Sequence, residues 1–265
     1  MLRSMNALNG FTIGARDGDI GRIEAFYFDD LSFTIRHLVV DTGGWLSGRK
    51  VLISPRALGP IDWNGKRVTA DLNKTQVEQS PDIDTDKPVS RQQEIEYYRH
   101  YGYPTYWSGP YLWGGYPYPV MTPAPAAGVL EDERRWEWGA RETGDPHLQS
   151  SAAVIGYNIA ATDGDIGHVE DFLVDDLSWA IRYMVVDTSN WWFGKHVLVS
   201  VEWIGDVDWS SSSLHVDLTR EQIKASPEYD ASRPVERDYE SRLHDYYGRP
   251  GYWGPREEQM RAGRR

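Results

Sequence analysis

The sequence predicts an all-β protein made of two small β-barrels, each with a short closing helix, joined by an aromatic Gly/Pro-rich connector. Two observations support this fold class. The chain repeats itself along its length, and inside each repeat short apolar segments alternate with Asp-Gly turn signals. Short strands at such spacing are typical of a small barrel or sandwich rather than of a βαβ sheet.

The duplication is visible when the sequence is shifted by 146 residues, because it then aligns to itself without a gap from residue 10 to residue 107. About 43 of about 98 aligned positions are identical, far beyond chance for a self-comparison. We therefore predict four segments. They are a first barrel repeat at 1–90, an aromatic and charged connector at 91–149, a second barrel repeat at 150–236, and a helix with a basic tail at 237–265.

The first repeat contains a series of short predicted strands and one helix. A shift in the apolar phase after Ile35 predicts a β-bulge near Arg36 and His37. In the second repeat Thr219, with Gln222 three residues later, predicts a capped helix start. The predicted strands cover 10–14, 20–28, 33–41, 50–54 and 67–72, and the predicted helix covers 73–79.

Charge and composition limit the classes of partner. The net charge is −12, which disfavours nucleic acid and anionic lipid as partners. The chain has no apolar run of about 18 residues, no cysteine, and no basic-apolar secretory signal in residues 1–10. We expect a cytoplasmic protein with no membrane insertion and no nucleic-acid partner. The only compact basic cluster is interpreted as a solvated chain end: Arg256, Arg261, Arg264 and Arg265.

Acidic residues shared by the two repeats are the only plausible set of metal ligands, because carboxylate oxygens suit calcium or magnesium. Their spacing does not match an EF-hand loop, and Asp-Gly is a strong turn signal. We interpret them as turn residues and expect no metal and no cofactor. The shared turn residues are Asp17, Asp19, Asp29, Asp30 and Asp41, with Asp163, Asp165, Asp175, Asp176 and Asp187; Glu24 and Glu170 are also shared.

No pattern of catalytic residues stands out. The seven histidines are isolated, and none recurs at an equivalent position in the other repeat. Ser54 and Ser200 recur, but neither lies in a nucleophile-elbow pattern. The Gly-rich loop at 42–48 is not a phosphate cradle, since the second repeat replaces Gly43 and Gly44 by other residues. We expect no catalytic residues and no enzyme.

The connector is unusually rich in tyrosine and tryptophan, interleaved with glycine and proline, and an echo of this pattern follows the second repeat. One interpretation is that these aromatics fold back and cover barrel surface. Another is a partner-docking strip with aromatic anchors, whereas stacking on single-stranded nucleic acid is disfavoured by the charge. Residues 122–150 are interpreted as a linker. The candidate interaction surface is Tyr101, Tyr106, Trp107, Tyr111, Trp113, Tyr247, Tyr252 and Trp253.

The order of these motifs resembles a known family. A short strand, a D-G-D-I-G-x-[IV]-E-x-F turn and strand, an acidic turn, a strand ending V-V-D and a closing DLTREQIKASP at 217–227 are together similar to the PRC-barrel module. The resemblance covers roughly 10–90 and 156–236. The PRC-barrel is similar in fold to the cytoplasmic domain of the photosynthetic reaction-centre H subunit and to the C-terminal domain of the ribosome maturation factor.

The resemblance implies a bacterial docking or scaffolding module rather than a catalyst. We therefore expect a non-catalytic protein-interaction scaffold whose partner is another protein. The alternatives are a small-ligand or metal-binding regulator and an H-subunit-like accessory to photosynthetic electron transfer. Two departures weigh against the relatives' own roles. Residues 1–9 cannot form the transmembrane helix of the H subunit, and a second barrel stands where the ribosome factor has a different domain.

An ungapped duplication also suggests how the repeats are arranged. Homodimers are mostly two-fold symmetric, so a fusion of two copies is expected to pair its barrels as an internal pseudo-dimer. Candidate residues for the shared patch are Trp45 with Trp191 and Trp63 with Trp209; the alternative is that each fills its own barrel. We also expect fragments 1–90 and 150–236 each to fold alone, because about 80 residues suffice for a marginal core.

Overall fold

The computed structural model describes residues 1–84, 88–107, 109–120, 146–188 and 195–253. The chain divides into two compact units. The first unit comprises Met1–Leu2, Tyr157–Glu170 and Met184–Arg265, and the second comprises Arg3–Gly156 and Asp171–Tyr183. The predicted four-segment division, which stays a prediction, differs from this one because residues 171–183 of the second repeat belong to the second unit.

The elements of the first repeat and connector follow in chain order. The strands are β1 (Leu2–Ser4), β2 (Thr12–Ala15), β3 (Gly18–Asp29), β4 (Thr34–Asp41), β5 (Lys50–Ile53), β6 (Leu58–Asp62), β7 (Arg67–Ala70) and β8 (Val89–Ser90). The helices are α1 (Met5–Leu8), α2 (Lys74–Glu78) and α3 (Arg91–Tyr101).

The second repeat carries the same series. After β9 (Pro146–Ser150), which ends the connector, its strands are β10 (Asn158–Ala161), β11 (Gly164–Asp175), β12 (Ile181–Asp187), β13 (His196–Ser200), β14 (Ile204–Asp208) and β15 (Ser213–Val216). Its helices are α4 (Ser151–Val154), α5 (Arg220–Ala225) and α6 (Arg237–Tyr247).

The strands form two sheets with matching topology. One sheet has the order β5-β4-β3-β2-β7-β6, and in addition β9 pairs with β3 and β8 pairs with β9. The other sheet has the order β13-β12-β11-β10-β15-β14, and in addition β1 pairs with β11. The pairings of β2 with β7 and of β10 with β15 are parallel. The antiparallel pairings are β2–β3, β3–β4, β4–β5 and β6–β7 in one sheet and β10–β11 and β14–β15 in the other. The chain is mostly β, as the sequence predicts.

The local predictions can be compared with these elements. The predicted bulge is confirmed, because Tyr27 pairs with His37 and Phe28 pairs with Ile35, leaving Arg36 as the extra residue of β4. The predicted cap of α5 is confirmed as well. Thr219 accepts a hydrogen bond from the backbone N–H of Gln222, and the Gln222 side chain accepts one from the backbone N–H of Thr219.

The expectation of closed barrels is wrong. Among the described residues no hydrogen-bonded ladder joins the terminal strands of either sheet, β5 to β6 or β13 to β14. In the first repeat the chain passes from β5 to β6 through a 3-10 turn at Pro55–Ala57. The second repeat has the equivalent 3-10 turn at Val201–Trp203, without a proline. In each repeat this turn changes the direction of the chain, so the two consecutive strands do not pair side by side.

Both ends of the connector form regular secondary structure. Its first part is α3, which begins at a capping box of Ser90 and Gln93 and ends at Gly102 with a positive φ of 68°. Its last residues form β9, so the linker interpretation of 122–150 is wrong for residues 146–150. Leu148 is completely buried there, and burial of this apolar side chain explains why the segment pairs with β3 and β8. The rest of that linker lies outside the described residues, as does the basic tail.

Candidate interaction site

The turn between β3 and β4 carries an aspartate that fixes a buried arginine. Asp29 Oδ1 accepts hydrogen bonds from the backbone N–H groups of Leu31 (2.9 Å) and Ser32 (3.0 Å), an Asx-turn. Its Oδ2 accepts a hydrogen bond of 3.1 Å from Nη2 of Arg36, the residue of the bulge. Only 2% of Arg36 is exposed, so its charge depends on this partner for compensation.

Arg36 also contacts the connector. Its Nη1 donates a 2.5 Å hydrogen bond to the backbone oxygen of Leu112. Its guanidinium carbon lies 3.6 Å from the ring centre of Tyr106 and 5.0 Å from that of Trp113. Cation–π contacts of this kind are stronger when water is excluded. The bulge of β4 therefore supplies a cationic platform for connector aromatics.

We call residues 109–120 the strap. A tight turn within it is closed by hydrogen bonds from the N–H of Tyr111 to the oxygen of Gly114 (3.1 Å) and from the N–H of Gly114 to the oxygen of Tyr111 (3.2 Å). Gly114 has a φ of +76°, and a Cβ there would lie 2.8 Å from the backbone oxygen of Thr105. Glycine is therefore required at position 114. The same turn contains Trp113, which is buried, with 1% of its surface exposed.

A second buried arginine and a carbonyl complete the pocket of Trp113. The indole Nε1 of Trp113 donates a 2.8 Å hydrogen bond to the backbone oxygen of Ser178, which lies in the turn before β12 and belongs to the second unit. Arg56 Nη2 donates to the backbone oxygen of Trp113 (3.0 Å), and its Nη1 donates to that of Val120 (2.9 Å). Burial lowers the pKa of Arg56.

Beside this pocket lies a fully buried carboxylate. Glu94, on α3, has Oε2 2.6 Å from Nε2 of His147 on β9. The same oxygen accepts hydrogen bonds of 3.1 Å from the Tyr106 hydroxyl and from Arg91 Nη1. Its Oε1 lies 3.7 Å from Nε2 of His37 on β4. One carboxylate thus connects α3, β4, β9 and the start of the aromatic segment.

The pKa values of this cluster reflect a competition between burial and charge. Burial alone would raise the pKa of Glu94, but His147, His37 and Arg91 outweigh it and lower the pKa to about 2. Burial lowers the pKa of His37 and raises that of Tyr106. Glu94 is consequently an anion at neutral pH, held inside the protein by cationic and hydrogen-bonding neighbours.

The first unit contains a counterpart of this cluster at the 146-residue offset. The Tyr252 hydroxyl donates a 2.6 Å hydrogen bond to Oε1 of Glu240, and Arg237 Nη1 lies 3.1 Å from its Oε2. The guanidinium carbon of Arg237 lies 4.2 Å from the ring centre of Trp253, against 4.0 Å for the equivalent pair in the second unit. A cluster of arginine, glutamate, tyrosine and tryptophan is therefore present at equivalent positions in both units.

The predicted interaction surface divides into buried and half-buried members. Tyr106, Trp113 and Tyr247 are buried, with Tyr247 packed 4.6 Å from the ring of Trp203, so they cover the protein body and are not available for docking as they stand. Large apolar rings close to a sheet gain more from burial than from exposure. The half-buried members, which stay candidates, are Tyr101, Trp107, Tyr111, Tyr252 and Trp253.

The tryptophans proposed for a shared patch pack within their own repeats. Trp45 Nε1 donates a hydrogen bond to the backbone oxygen of Ile20, and the Trp63 ring lies 5.4 Å from that of Phe11. The Trp209 ring lies 6.2 Å from that of Tyr157. These contacts favour the alternative that each fills its own repeat. Trp191 lies outside the described residues.

The shared aspartates lie at strand ends or in the turns between strands. Asp17 Oδ1 accepts a hydrogen bond of 2.9 Å from the first N–H of α2, and Asp163 Oδ1 accepts one of 2.8 Å from the first N–H of α5. Asp175 repeats the Asx-turn of Asp29. Among the described residues no group of three or more His, Cys, Asp or Glu side chains could hold a metal ion. The other shared positions are Asp19, Asp30, Asp41, Asp165, Asp176 and Asp187.

Comparison with known proteins places the second repeat in a family. Residues 150–223 match the model of the PRC-barrel domain family. A PRC-barrel domain is present there. An uncharacterized protein of Deinococcus radiodurans is 40% identical over 81 residues, which are 30% of this chain and 28% of that protein. The chain thus spans less than a third of this relative's length. A PRC-barrel domain suggests a protein-interaction module, and no specific function follows from the match.

The sequence did not predict the buried contacts of Arg36, Arg56, Glu94 and His147. A signal for one of them was present, because Arg91 and Glu94 coincide with Arg237 and Glu240 at the same offset as the aromatic echo. A shared arginine and glutamate three residues apart indicates a common ion pair on a helix.

In the part of the chain that the structure describes, no helix is long and apolar enough to cross a membrane.

Proposed function

We propose that this chain is a non-catalytic protein-interaction scaffold in which two PRC-type repeats pair with each other. The observation that carries the proposal is an aromatic strap fixed on the second unit by two buried arginines. This arrangement leaves Tyr116 41% exposed and Tyr111 half-buried. Rigid aromatic side chains at a surface are typical anchors for protein partners. Docking through these rings agrees with the interaction role that the PRC-barrel match suggests.

Pairing of the repeats is supported by a reciprocal contact inside the second unit. Thr34 forms an antiparallel bridge with Ala180, its own equivalent at the 146-residue offset. The N–H of Ile35 donates to the oxygen of Trp179 (2.8 Å), and the N–H of Ile181 donates to the oxygen of Phe33 (2.7 Å). The offset exchanges these two hydrogen bonds, as a two-fold axis would. Phe33 and Trp179 also share an unusual positive φ, 48° and 59°.

A non-catalytic role is supported by where the acid and base groups lie. Glu94 and His37 are completely buried, and His147 is 6% exposed. A general acid or base must come within hydrogen-bonding reach of a substrate. Side chains that are enclosed by arginines and tyrosines, as these are, suit internal stabilisation better than proton transfer to a substrate.

Site-specific photo-crosslinking in cells that produce this chain tests the scaffold function. A benzophenone amino acid is placed at Tyr116 in one variant and, as the control, at the exposed Asn64 in the turn before β7. We expect a discrete adduct with one or a few proteins from position 116 and none from position 64. Absence of any adduct at 116, or the same adducts at both positions, would contradict the proposal.

A groove in the first unit favours a second candidate function, the binding of a small ligand. It has a volume of about 580 Å³ and lies between residues 227–236 and α6, where Tyr229, Tyr239 and Arg242 line it together with several carboxylates. Convergent polar groups around an aromatic wall are typical of ligand sites. A saturable rise in melting temperature with a small polar compound, abolished by Arg242→Ala, would support this candidate.

A further inference from the structure

The strap is held by contacts that a bound peptide would make. Arg36 and Arg56 donate hydrogen bonds to backbone oxygens of Leu112, Trp113 and Val120. The one strap side chain that is fully buried is an indole, which donates in turn to a backbone oxygen of the body. In the described part of the chain, the strap contributes no strand to either sheet. Peptide-recognition sites use such contacts, with main-chain bonds for affinity and one pocket for specificity.

The surface that receives the strap is positioned by groups outside the strap. Arg36 is fixed by Asp29, and its Nη2 also donates to the Ser32 hydroxyl at 3.1 Å. Arg56 lies on a 3-10 turn whose start is capped by Ser54. The backbone of Ser178 is held by Asp175, which accepts from its N–H at 3.2 Å. Groups that are already in place lower the cost of binding a peptide.

The second repeat does not preserve this surface completely. Arg36 has an identical counterpart, Arg182, but the counterpart of Arg56 is Glu202. A glutamate carboxylate has no N–H to donate to peptide carbonyls. The two carbonyl contacts of Arg56 are therefore a property of the first repeat alone, and the repeats have diverged at this point.

We propose that the surface formed by Arg36, Arg56 and Ser178 is a peptide-binding site that the strap occupies in cis. Its external ligand is a segment of a partner protein that carries a tryptophan on a glycine-containing turn. This inference rests on the proposed function, since it names the partner class of the same scaffold. A tethered strap competes with that partner, so the apparent affinity is the intrinsic affinity multiplied by the fraction of molecules in which the site is open.

The test uses the full-length chain and a fluorescent peptide of residues 109–120, measured by anisotropy. In Trp113→Ala and Trp113→Phe the strap loses its indole contact, so we expect each to bind the peptide at least about 10-fold more tightly than the unchanged chain. Replacing tryptophan by alanine in the peptide, or adding Arg56→Glu to Trp113→Ala, should abolish binding. Trp209→Ala, the same change in the first unit, should leave binding at the level of the unchanged chain.

Circular dichroism and a cooperative melt establish that each variant is folded. If both Trp113 variants fold and neither binds the peptide, the strap is only a structural segment and the inference is wrong. If neither folds, Trp113 belongs to the core of the unit and the inference is equally wrong; if only Trp113→Phe folds, its binding decides. Cross-linking of residues 34 and 180, which tests pairing of the repeats, is measured separately, so the two proposals can fail independently.

Discussion

At the scale of single residues, the second unit depends on a buried anion that three elements share. Glu94 contacts His147 of β9, Arg91 of its own helix and, at longer range, His37 of β4. An apolar core of similar volume can equal or exceed the stability of such a cluster, but removal of one partner leaves the others uncompensated. The cluster therefore makes the unit sensitive to both mutation and pH.

Glu94→Gln should lower the free energy of unfolding by about 1.5–3 kcal/mol, because it replaces the charge-assisted hydrogen bonds that the carboxylate makes with Arg91, Tyr106 and His147 by weaker neutral ones. Urea denaturation at pH 7 measures the change. The matched control is Glu24→Gln, which removes a carboxylate from an exposed ion pair with Lys50 and should cost at most about 1 kcal/mol. Equal effects of the two substitutions would show that burial of Glu94 does not matter.

Stability should fall as the pH is lowered from 7. The folded pKa of Glu94, about 2, lies below its ordinary value of 4.5, and burial lowers the pKa of His37 from 6.5. The folded chain thus binds fewer protons than the unfolded chain. The contribution of Glu94, about 3 kcal/mol, is present above about pH 5 and is lost progressively toward pH 2. Urea midpoints between pH 7 and pH 3 measure this dependence, and the loss below pH 5 should be smaller in Glu94→Gln.

At the scale of elements, the close approach of β3 to β4 requires a residue without a side chain. A Cβ at Gly21 would lie 2.0 Å from the backbone oxygen of Asp41, and its counterpart Gly167 would meet Asp187 at the same distance. No real contact is so short, and the obstacle is backbone rather than a flexible side chain. The glycine shared by the two repeats at this position is explained by strand packing.

Gly21→Ala should therefore lower the free energy of unfolding by about 1–3 kcal/mol, the usual cost of overpacking. Gly44→Ala is the control, because a Cβ there has no atom within 4 Å, and it should change stability by less than about 0.5 kcal/mol. Thermal or urea unfolding measures both. A neutral effect of Gly21→Ala would mean that the strands can separate without cost.

The repeat, the turns and the bulge could be predicted from sequence because each depends on local signals. The 146-residue offset located both copies, and the phase shift after Ile35 located the bulge at Arg36. The pairing of β9 with β3 depends on residues more than 100 positions apart, which periodicity does not reveal. The roles of Arg36 and Arg56 were also out of reach, since an isolated arginine in a sequence reads as surface charge until its partners are known.

At the scale of the whole molecule, the second unit is assembled from both repeats. The N–H of Phe26 in the first repeat donates a 3.1 Å hydrogen bond to the hydroxyl of Ser151 in the second, and Thr34 forms an antiparallel bridge with Ala180. Residues 171–183 of the second repeat belong to the same unit. These contacts lead to an expectation opposite to the one from sequence, in which each repeat folds alone.

Fragment 1–90 should lack a cooperative thermal transition, because it loses α3, the strap and β9 from its unit. Fragment 1–188 contains every described residue of the second unit and should melt cooperatively. Circular dichroism with differential scanning calorimetry distinguishes the two. A cooperative melt of fragment 1–90 as a monomer would show that the second repeat is dispensable for the first.

Disulfide formation between positions 34 and 180 tests the pairing of the repeats most directly. The chain has no cysteine, so Thr34→Cys with Ala180→Cys introduces the only two thiols. The flanking hydrogen bonds make this a non-hydrogen-bonded antiparallel pair, whose Cα atoms are typically about 4.5 Å apart and within disulfide range. Mild oxidation should give a monomer with an internal disulfide, seen by non-reducing electrophoresis and peptide mass spectrometry, whereas each single variant should stay reduced or dimerise slowly. Only free thiols or intermolecular dimers in the double variant would contradict the pairing.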